Sequence, residues 1–287
     1  MNSNMQNADS PSRLGNFLVR LLAAVPVLML LIAAFLLAPW YVPAAMMGLA
    51  GMVGLYEYRA LLAGEPGVPL PRMPLLAGGL LIGCGGLFAG ARGQTAMFFA
   101  AALMWLLLCL LRNRAHHEEG LQQASLGVFG LVWIAWFMDH WILLLRDIPQ
   151  GNHWAVLLLL VLTGTDVFAY IVGTLLGRHL LIPQISPNKT VEGALGGVAG
   201  GLLGGWLALL YFSEGGLGLP LAHVLALCVP LALLGQAGDL AESVLKRIAK
   251  VKKSGVFMPG HGGALDRLDS LLLAAPFLYY YLTLVLT

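Results

Sequence analysis

Long apolar runs separated by short polar segments make up most of the chain. Each run approaches the length of about 20 mostly apolar residues that a membrane-spanning helix needs. The nine runs occupy residues 17–38, 41–63, 74–91, 95–111, 125–145, 154–177, 191–212, 221–239 and 269–286. The pattern therefore predicts an all-α integral membrane protein with about nine transmembrane helices. The first run is longer than the apolar part of a signal peptide, so we expect it to be retained as a span.

The composition supports a membrane protein and excludes two other classes. Of the 287 residues, 59% are apolar and only 10% are charged, whereas about 25% are charged in a typical globular chain. So few charges cannot cover a water-soluble surface, and so much apolar surface is incompatible with disorder. The net charge of +2 gives no signal for a nucleic-acid partner, and none is expected.

Many of the 36 glycines cluster inside the apolar runs, as in residues 196–201. Small residues let membrane helices approach closely, so we interpret these clusters as packing features rather than phosphate-binding loops. The same glycine-rich faces would allow a homodimer, for which the sequence has no specific motif. The three cysteines also lie in apolar runs, and we expect them to pack as small apolar side chains.

Lysine and arginine residues are divided unevenly between the two sides of the predicted bundle. With a cytoplasmic N-terminus, fourteen of them fall on the cytoplasmic side and only Arg92 and Arg146 on the other. This asymmetry is that of the positive-inside rule. The orientation places the polar segments 178–190 and 240–268 together in the cytoplasm, where these loops would form the site.

Polar residues crowd into the second half of the chain. We therefore divide it into an N-terminal membrane region, 1–150, with about five spans, and a catalytic membrane region, 151–287, with about four. Asp166 lies within the sixth apolar run. A carboxylate inside a membrane is costly enough to be a functional candidate by default.

Acidic residues in the N-terminal half have simpler interpretations. Glu57 and Arg59 lie near the inner end of the second run, where a pair of side chains reaching for the membrane surface is expected rather than a site. Asp139 and His140 fall in the outer part of the fifth run. For both we favour structural hydrogen bonds.

The densest polar cluster begins at Asp239 and runs to the start of the last span. On a continuing helix, Asp239, Glu242 and Lys246 share one face because they are three and four residues apart. Asp266 and Asp269 follow as a second pair of carboxylates. Carboxylates hold Mg²⁺ together with substrate phosphates, and lysines neutralise phosphate oxygens. The mixture favours phosphoryl or nucleotidyl transfer over the alternative, a basic loop that touches lipid headgroups.

The other cytoplasmic loop places Ser186, Lys189 and Thr190 just before a predicted helix start. Amides at a helix N-terminus are available to an anion, so this segment has the character of a phosphate cradle. It lacks the spacing of a Walker A loop, and on its own the signal is weak. Its value lies in its placement on the same side of the membrane as the acidic cluster.

These motifs together resemble the phosphatidate cytidylyltransferases, also called CDP-diacylglycerol synthases. The family signature S-x-x-K-R, K-D, P-x-H-G-G-x-x-D-R-x-D is similar to residues 243–247, 252–253 and 259–269 here. Asp166-x-x-Ala169-Tyr170 and the segment 186–193 also look like that family. The resemblance covers about residues 160–287, and the N-terminal half matches only in being apolar and multi-spanning.

The resemblance implies that phosphatidic acid and CTP react to CDP-diacylglycerol and pyrophosphate with Mg²⁺, in a bacterial inner membrane. It implies catalytic roles for Asp239, Asp266, Lys246 and Arg247, and metal binding by Asp239 and Asp266 with support from Asp269 and Glu242. The implied substrate-binding residues are Asp166, Ser186, Lys189, Thr190, Glu192, Lys252, His261 and Arg267. Whether the residues at 186–190 contact nucleotide or lipid phosphate stays open.

One departure from the family pattern concerns the aspartate of K-D, which is Lys253 here. A second cation in the site is therefore in doubt. Either that aspartate lies outside the metal's immediate ligands, or the Lys253 ammonium replaces a second ion, or the chain is a paralogue with altered substrate or lost activity.

Three other functions compete with phosphatidate cytidylylation. The same chemistry could act on a different lipid phosphate, because an apolar groove has no readable specificity code. A transporter would use Asp166 and Asp239 to line a polar pathway, although acids clustered on one side argue against it. A non-catalytic scaffold is supported only by Lys253.

Overall fold

A computed structural model describes residues 25–26, 28–63, 68–113, 116–212, 217, 220–251, 254–255 and 262–286. Helices account for most of these residues, with a short antiparallel pair of strands before α7. In chain order they are α1 (Leu28–Leu37), α2 (Tyr41–Leu62), α3 (Arg72–Arg112), α4 (His117–Gly130), a π-helix (Leu131–Trp136), α5 (Phe137–Asp147), α6 (Gly151–Leu176), β1 (Leu180–Ile182), β2 (Ser186–Thr190), α7 (Val191–Phe212), α8 (Leu221–Ile248) and α9 (Leu265–Leu286).

Six helical stretches in the described residues are long and apolar enough to cross a membrane. They are Arg72–Arg112, His117–Asp147, Gly151–Leu176, Val191–Phe212, Leu221–Ile248 and Leu265–Val285. The chain is therefore a multi-pass membrane protein. The number of nine crossings and their orientation stay predictions.

The longest helix, α3, contains two of the predicted spans and turns back at Gly90. Gly90 has φ 64° and ψ −154°, a conformation that glycine adopts without steric cost. On either side of it the two arms lie against each other, since a Cβ on Gly85 would be 2.5 Å from the Gly93 carbonyl oxygen. Farther along, a Cβ on Gly78 would be 3.5 Å from the Ala101 Cβ. The two arms therefore form an antiparallel hairpin.

Glycines bring α6 and α7 into direct backbone contact. A Cβ on Gly164 would lie 2.4 Å from the Gly200 carbonyl oxygen, and one on Gly204 would lie 2.2 Å from that of Leu160. No larger residue fits at this separation, so the prediction that glycine clusters serve helix packing is confirmed here. The homodimer stays a prediction.

Contacts between polar residues show which helix ends lie together at each end of the bundle. Asp266 lies in the first turn of α9, whereas Tyr279, about 20 Å farther along that helix, donates a hydrogen bond to Asp147 at 3.4 Å. Arg146 lies beside the Gly90 turn at the same distant end. The ends of α6 and α8 and the starts of α7 and α9 therefore meet at the opposite end, where the candidate site lies.

The two halves of the chain pack against each other. A Cβ on Gly54 in α2 would lie 3.2 Å from Leu268 of α9, and the buried apolar residues form one cluster that includes both regions. Cys109 and Cys228 are buried in it, as expected. The division at residue 150 stays a prediction.

The buried pair in α5 is satisfied only in part. His140 Nδ1 makes a hydrogen bond of 2.8 Å with the Trp136 carbonyl in the π-helix. Asp139 is 2% exposed, and Gln94 is its hydrogen-bonding neighbour, at a geometry that leaves neither carboxylate oxygen with a well-formed hydrogen bond among the described residues. The predicted structural hydrogen bond is confirmed for His140 and stays a prediction for Asp139.

A β-hairpin stands where the sequence predicts only a polar loop. Leu180 pairs with Thr190 and Ile182 with Ser186, and the Ile185 amide donates to the Ile182 carbonyl at 3.1 Å to close the turn. The predicted all-α class holds for the rest of the described chain, and this hairpin is the addition to it. The strands are too short for an alternating apolar pattern to reveal them, and β2 is mostly polar.

Replacing Gly200 by alanine tests the helix contact. Because the new methyl group would lie 2.3 Å from the Gly164 carbonyl oxygen, we expect Gly200→Ala to lower the free energy of unfolding by about 1–3 kcal/mol. Thermal melting in detergent measures the change. Gly83→Ala is the matched control, because its Cβ would meet only an Asp139 oxygen at 4.0 Å. Equal melting temperatures for the two variants would contradict the expectation.

Candidate active site

A cavity of about 730 Å³ opens at the end of the bundle where α6 and α8 end and α7 and α9 begin. Its walls combine charged and polar side chains with small and apolar ones, a mixture that suits a substrate with a charged head and an apolar body. The lining residues are Asp166, Ala169, Tyr170, Gly173, Thr174, Leu181, Asn188, Lys189, Thr190, Gly193, Ala194, Gln236, Asp239, Lys246, Asp266 and Asp269.

Three carboxylates converge at the base of this region. Asp239, Glu242 and Asp269 each bring one oxygen to within 4.8 Å of the others. Gly238 makes the approach possible, because a Cβ there would lie 2.1 Å from the Asp269 carbonyl oxygen. Glu242 is fully buried, and its Oε1 atom has no hydrogen-bond partner among the described residues. A cation with oxygen ligands fits this arrangement.

Two lysines balance part of this negative charge. Lys189 of β2 lies 2.6 Å from Asp239. Lys246 of α8 is placed between Glu242 and Asp266, donating to both, with an Nζ–Oδ1 distance of 2.7 Å to Asp266. Both ammonium groups line the cavity, so each could contact a phosphate there.

Both carboxylate oxygens of Asp266 accept hydrogen bonds. Its Oδ1 atom accepts from Lys246, and its Oδ2 atom accepts from the backbone amides of Gly263 at 2.9 Å and Ser254 at 3.1 Å. It is not in the group of three carboxylates that lie close enough to share one ion. The geometry thus groups Asp239 with Asp269 and Glu242, and metal binding by Asp266 stays a prediction.

The segment before α7 is organised by hydrogen bonds to its own backbone. The Thr190 hydroxyl accepts from the Gly193 amide at 3.0 Å, as an N-cap does. Glu192 accepts from the amides of Arg178 and His179 and pairs with the His179 ring at 2.6 Å. Glu192 therefore fixes the hairpin and, unlike Thr190, does not line the cavity.

The other predicted residues divide into three groups. Asp166 lines the cavity and interacts electrostatically with Asp239, Lys189 and Arg267. Ser186, Arg247 and Arg267 lie outside the lining, and Arg247 Nε donates to the Ile185 carbonyl at 3.0 Å, which ties the hairpin to α8. Three predicted or discussed residues lie outside the described residues: Lys252, Lys253 and His261.

Several site residues are missing from the sequence-based prediction. Tyr170, Thr174 and Asn188 line the cavity. Tyr170 and Asn188 fall within the segments that carry the family resemblance, whereas Thr174 lies in no such segment. Gln236, which also lines it, donates to the Ala194 carbonyl at 3.2 Å. Glu57 is also missing, although a lone acid within an apolar run is itself a signal, and it lies against the segment that carries Asp266.

Comparison with known proteins identifies the family. The sequence profile described as "Cytidylyltransferase family" matches residues 18–285. The chain belongs to this family. The match also covers the N-terminal half, which the motifs alone do not.

Individual relatives agree with the family assignment. The chain is similar to the phosphatidate cytidylyltransferase of Bacillus subtilis (strain 168), with 38% identity over 188 residues, 65% of this chain and 66% of the relative. That of Brucella abortus biovar 1 is 48% identical over 140 residues, 48% of this chain and 50% of the relative. That of Staphylococcus saprophyticus is 42% identical over 152 residues, covering 53% and 57%. The alignments thus span between half and about two thirds of these relatives.

Binding of Mg²⁺ to the three carboxylates can be measured by thermal melting. We expect Mg²⁺ to stabilise the protein, by about 2.7 kcal/mol at a hundred times the dissociation constant. Asp269→Asn should lose this stabilisation while melting no lower than the unchanged protein in EDTA, because the substitution relieves repulsion between like charges.

Glu118→Gln is the control, since it neutralises an exposed carboxylate outside the group. It should keep the Mg²⁺-dependent shift in full. An equal shift in Asp269→Asn and in the unchanged protein would place the cation elsewhere.

Proposed function

We propose that the chain transfers the cytidylyl group of CTP to phosphatidic acid, giving CDP-diacylglycerol and pyrophosphate. The observation that carries the proposal is one cavity in which Asp239 and Asp269 face Lys189 and Lys246, at the end of apolar helices. The family and the names of the relatives support the same reaction. The alternatives from the sequence, including transport and a scaffold, have no such support.

In this reaction a phosphate oxygen of the lipid attacks the α-phosphorus of CTP. A new P–O bond forms, and the bond from the α-phosphorus to the oxygen bridging to the β-phosphorus breaks, so that pyrophosphate leaves. The lipid phosphate is already ionised near neutral pH, so no general base is required, and His261 is not needed as one. Lys189 would hold phosphate oxygens in place of its present partner Asp239, and Lys246 would contact them while Asp266 keeps it in position.

Mg²⁺ fits the site because Asp239, Glu242 and Asp269 supply only oxygen ligands and Glu242 has an unpartnered buried oxygen. When bound, the ion would neutralise charge on the phosphates and the departing pyrophosphate. The residues of the chain contribute orientation: Asp266 fixes Lys246, and Thr190 fixes the start of α7 beside Lys189. Asp166, which lines the same cavity and interacts with Lys189, would add to substrate binding.

The proposed setting is the cell membrane of a bacterium, with the site facing the cytoplasm. The uneven distribution of lysine and arginine supports this orientation, as does the location of Arg146 at the end away from the cavity. Partners would be CTP, phosphatidic acid and membrane lipid, without nucleic acid. A homodimer stays a prediction.

The reaction is tested by incorporation of labelled CTP into organic-extractable lipid. With purified protein in detergent, phosphatidic acid and Mg²⁺, we expect product that requires the metal. Asp266→Asn should lower kcat by about 10²-fold or more, because Lys246 loses the charge that positions it. Glu118→Gln should keep full activity.

Each other outcome points to a stated alternative. No product from folded protein with phosphatidic acid, but product with another lipid phosphate, would mean a paralogue with changed lipid preference. No product with any lipid phosphate would reject the enzyme and favour a scaffold. Substrate uptake into vesicles without CTP turnover would favour a transporter.

Lys253→Asp tests the departure from the family signature. If the Lys253 ammonium replaces a second cation, introducing the aspartate should create a requirement for an additional ion, seen as a steeper dependence of the rate on Mg²⁺ or on K⁺. Rates are measured across both concentrations in the assay above. An unchanged rate and unchanged ion dependence would reject replacement and leave position 253 outside the ion's ligands.

A further inference from the structure

Glu57, in the N-terminal half, contacts the segment that carries Asp266. It lies near the end of α2, as the one acidic residue of that helix, and is 5% exposed. Its Oε1 atom accepts from the Ala264 amide at 2.9 Å, and its Oε2 atom from the Leu265 amide at 2.8 Å. These two amides lie at the start of α9. The first backbone amides of a helix have no hydrogen-bond partner within that helix. Glu57 therefore caps α9 from a different helix.

The same carboxylate also holds the segment where it leaves α8. Ser254 donates its hydroxyl to Glu57 Oε2 at 3.1 Å and accepts from the Asp266 amide at 3.2 Å. Two glycines make room, because a Cβ on Gly255 or Gly263 would lie within 2.5 Å of a Glu57 oxygen. One side chain thus joins residues 254–255 to residues 263–265.

This arrangement fixes Asp266 through the groups around it. The amides of Ser254 and Gly263, which flank the Glu57 carboxylate, are the two that donate to Asp266 Oδ2. Asp266 Oδ1 in turn holds Lys246 at the cavity. A chain of hydrogen bonds therefore leads from α2 to a lysine that would contact phosphate.

We propose that Glu57 is a positioning residue for the cytidylyl transfer, acting as a clamp that joins residues 254–255 to residues 263–265 and sets Asp266 and Lys246. The inference rests on the proposed function for its kinetic consequence, and on the hydrogen bonds alone for its structural one. It gives the N-terminal helices a part in the site, although none of their described residues lines the cavity.

Glu57→Gln separates the clamp from simple filling of space. The amide has the shape of the carboxylate, but it presents one NH₂ group toward donors, so at least one of the Ala264, Leu265 and Ser254 contacts is lost. We expect kcat to fall 10- to 100-fold, as is typical when a supporting hydrogen bond is removed. The KM for phosphatidic acid should change less than twofold. Glu57→Asp keeps both acceptors on a shorter arm and should recover part of the lost kcat.

Asp139→Asn is the matched control, because Asp139 is an equally buried carboxylate of the N-terminal half without a well-formed hydrogen bond among the described residues. It should leave kcat unchanged. A readout independent of activity is hydrogen exchange of the amides of residues 263–266. Exchange there should be at least tenfold faster in Glu57→Gln than in the unchanged protein or in Asp139→Asn, with the α6 amides unaffected.

The outcomes distinguish the two proposals. Faster local exchange from a protein that never produces lipid product would reject the proposed reaction and keep the clamp. An active protein whose kcat and local exchange are unchanged by Glu57→Gln would reject the clamp and keep the reaction. If Glu57→Gln speeds exchange equally in all helices, the variant has lost stability in general, and this result would also reject the clamp. If Glu57→Gln does not fold, Ser254→Ala carries the test, because it removes the hydroxyl that joins Glu57 to the Asp266 amide, and kcat and exchange equal to those of Asp139→Asn would overturn the clamp.

Discussion

The balance of charge inside an apolar bundle is the constraint on which this structure depends. Five carboxylates gather at one end of the helices: Asp166, Asp239, Glu242, Asp266 and Asp269. In the described part of the chain, Lys189, Lys246 and Arg267 interact with members of this group. Formal charge is thus negative by two, in surroundings where unbalanced charge is costly. One divalent cation would balance this charge.

Close helix approach is what makes such a concentration of charge geometrically attainable. Gly238 allows α8 to reach the backbone of α9, and the glycines of α6 and α7 allow those helices to touch. Without bulky side chains between them, four helix ends can surround one cavity. The glycines within the apolar helices therefore bring the helix ends close together, and the acidic and lysine side chains at those ends form the charged cavity.

The sequence predicts the helices and most of the charged cavity, but not how its parts are joined. Apolar runs reveal spans because lipid requires them, and spacing reveals that Asp239 and Glu242 share a face. Which carboxylates meet across helices depends on tertiary packing, which spacing along the chain does not reveal. The structure groups Asp239 with Glu242 and Asp269, whereas the family resemblance puts Asp239 and Asp266 first. Glu192 and Thr190 have the same predicted role in substrate binding, yet Glu192 fixes the hairpin and Thr190 lines the cavity. The sequence predicts Glu57 as half of a pair that reaches for the membrane surface, because its actual partners lie 197 to 208 residues away along the chain.

The contact between Glu57 and α9 also has a consequence for biosynthesis. The Ala264 amide follows Glu57 by 207 residues, which at about 5–20 residues per second takes a ribosome roughly 10–40 s to translate. During that interval the carboxylate is inserted without the amides it will cap. Only synthesis of α9 supplies those amides and Asp266, so until then Lys246 lacks the contact that places it. Assembly of this end of the bundle is thereby tied to the arrival of α9.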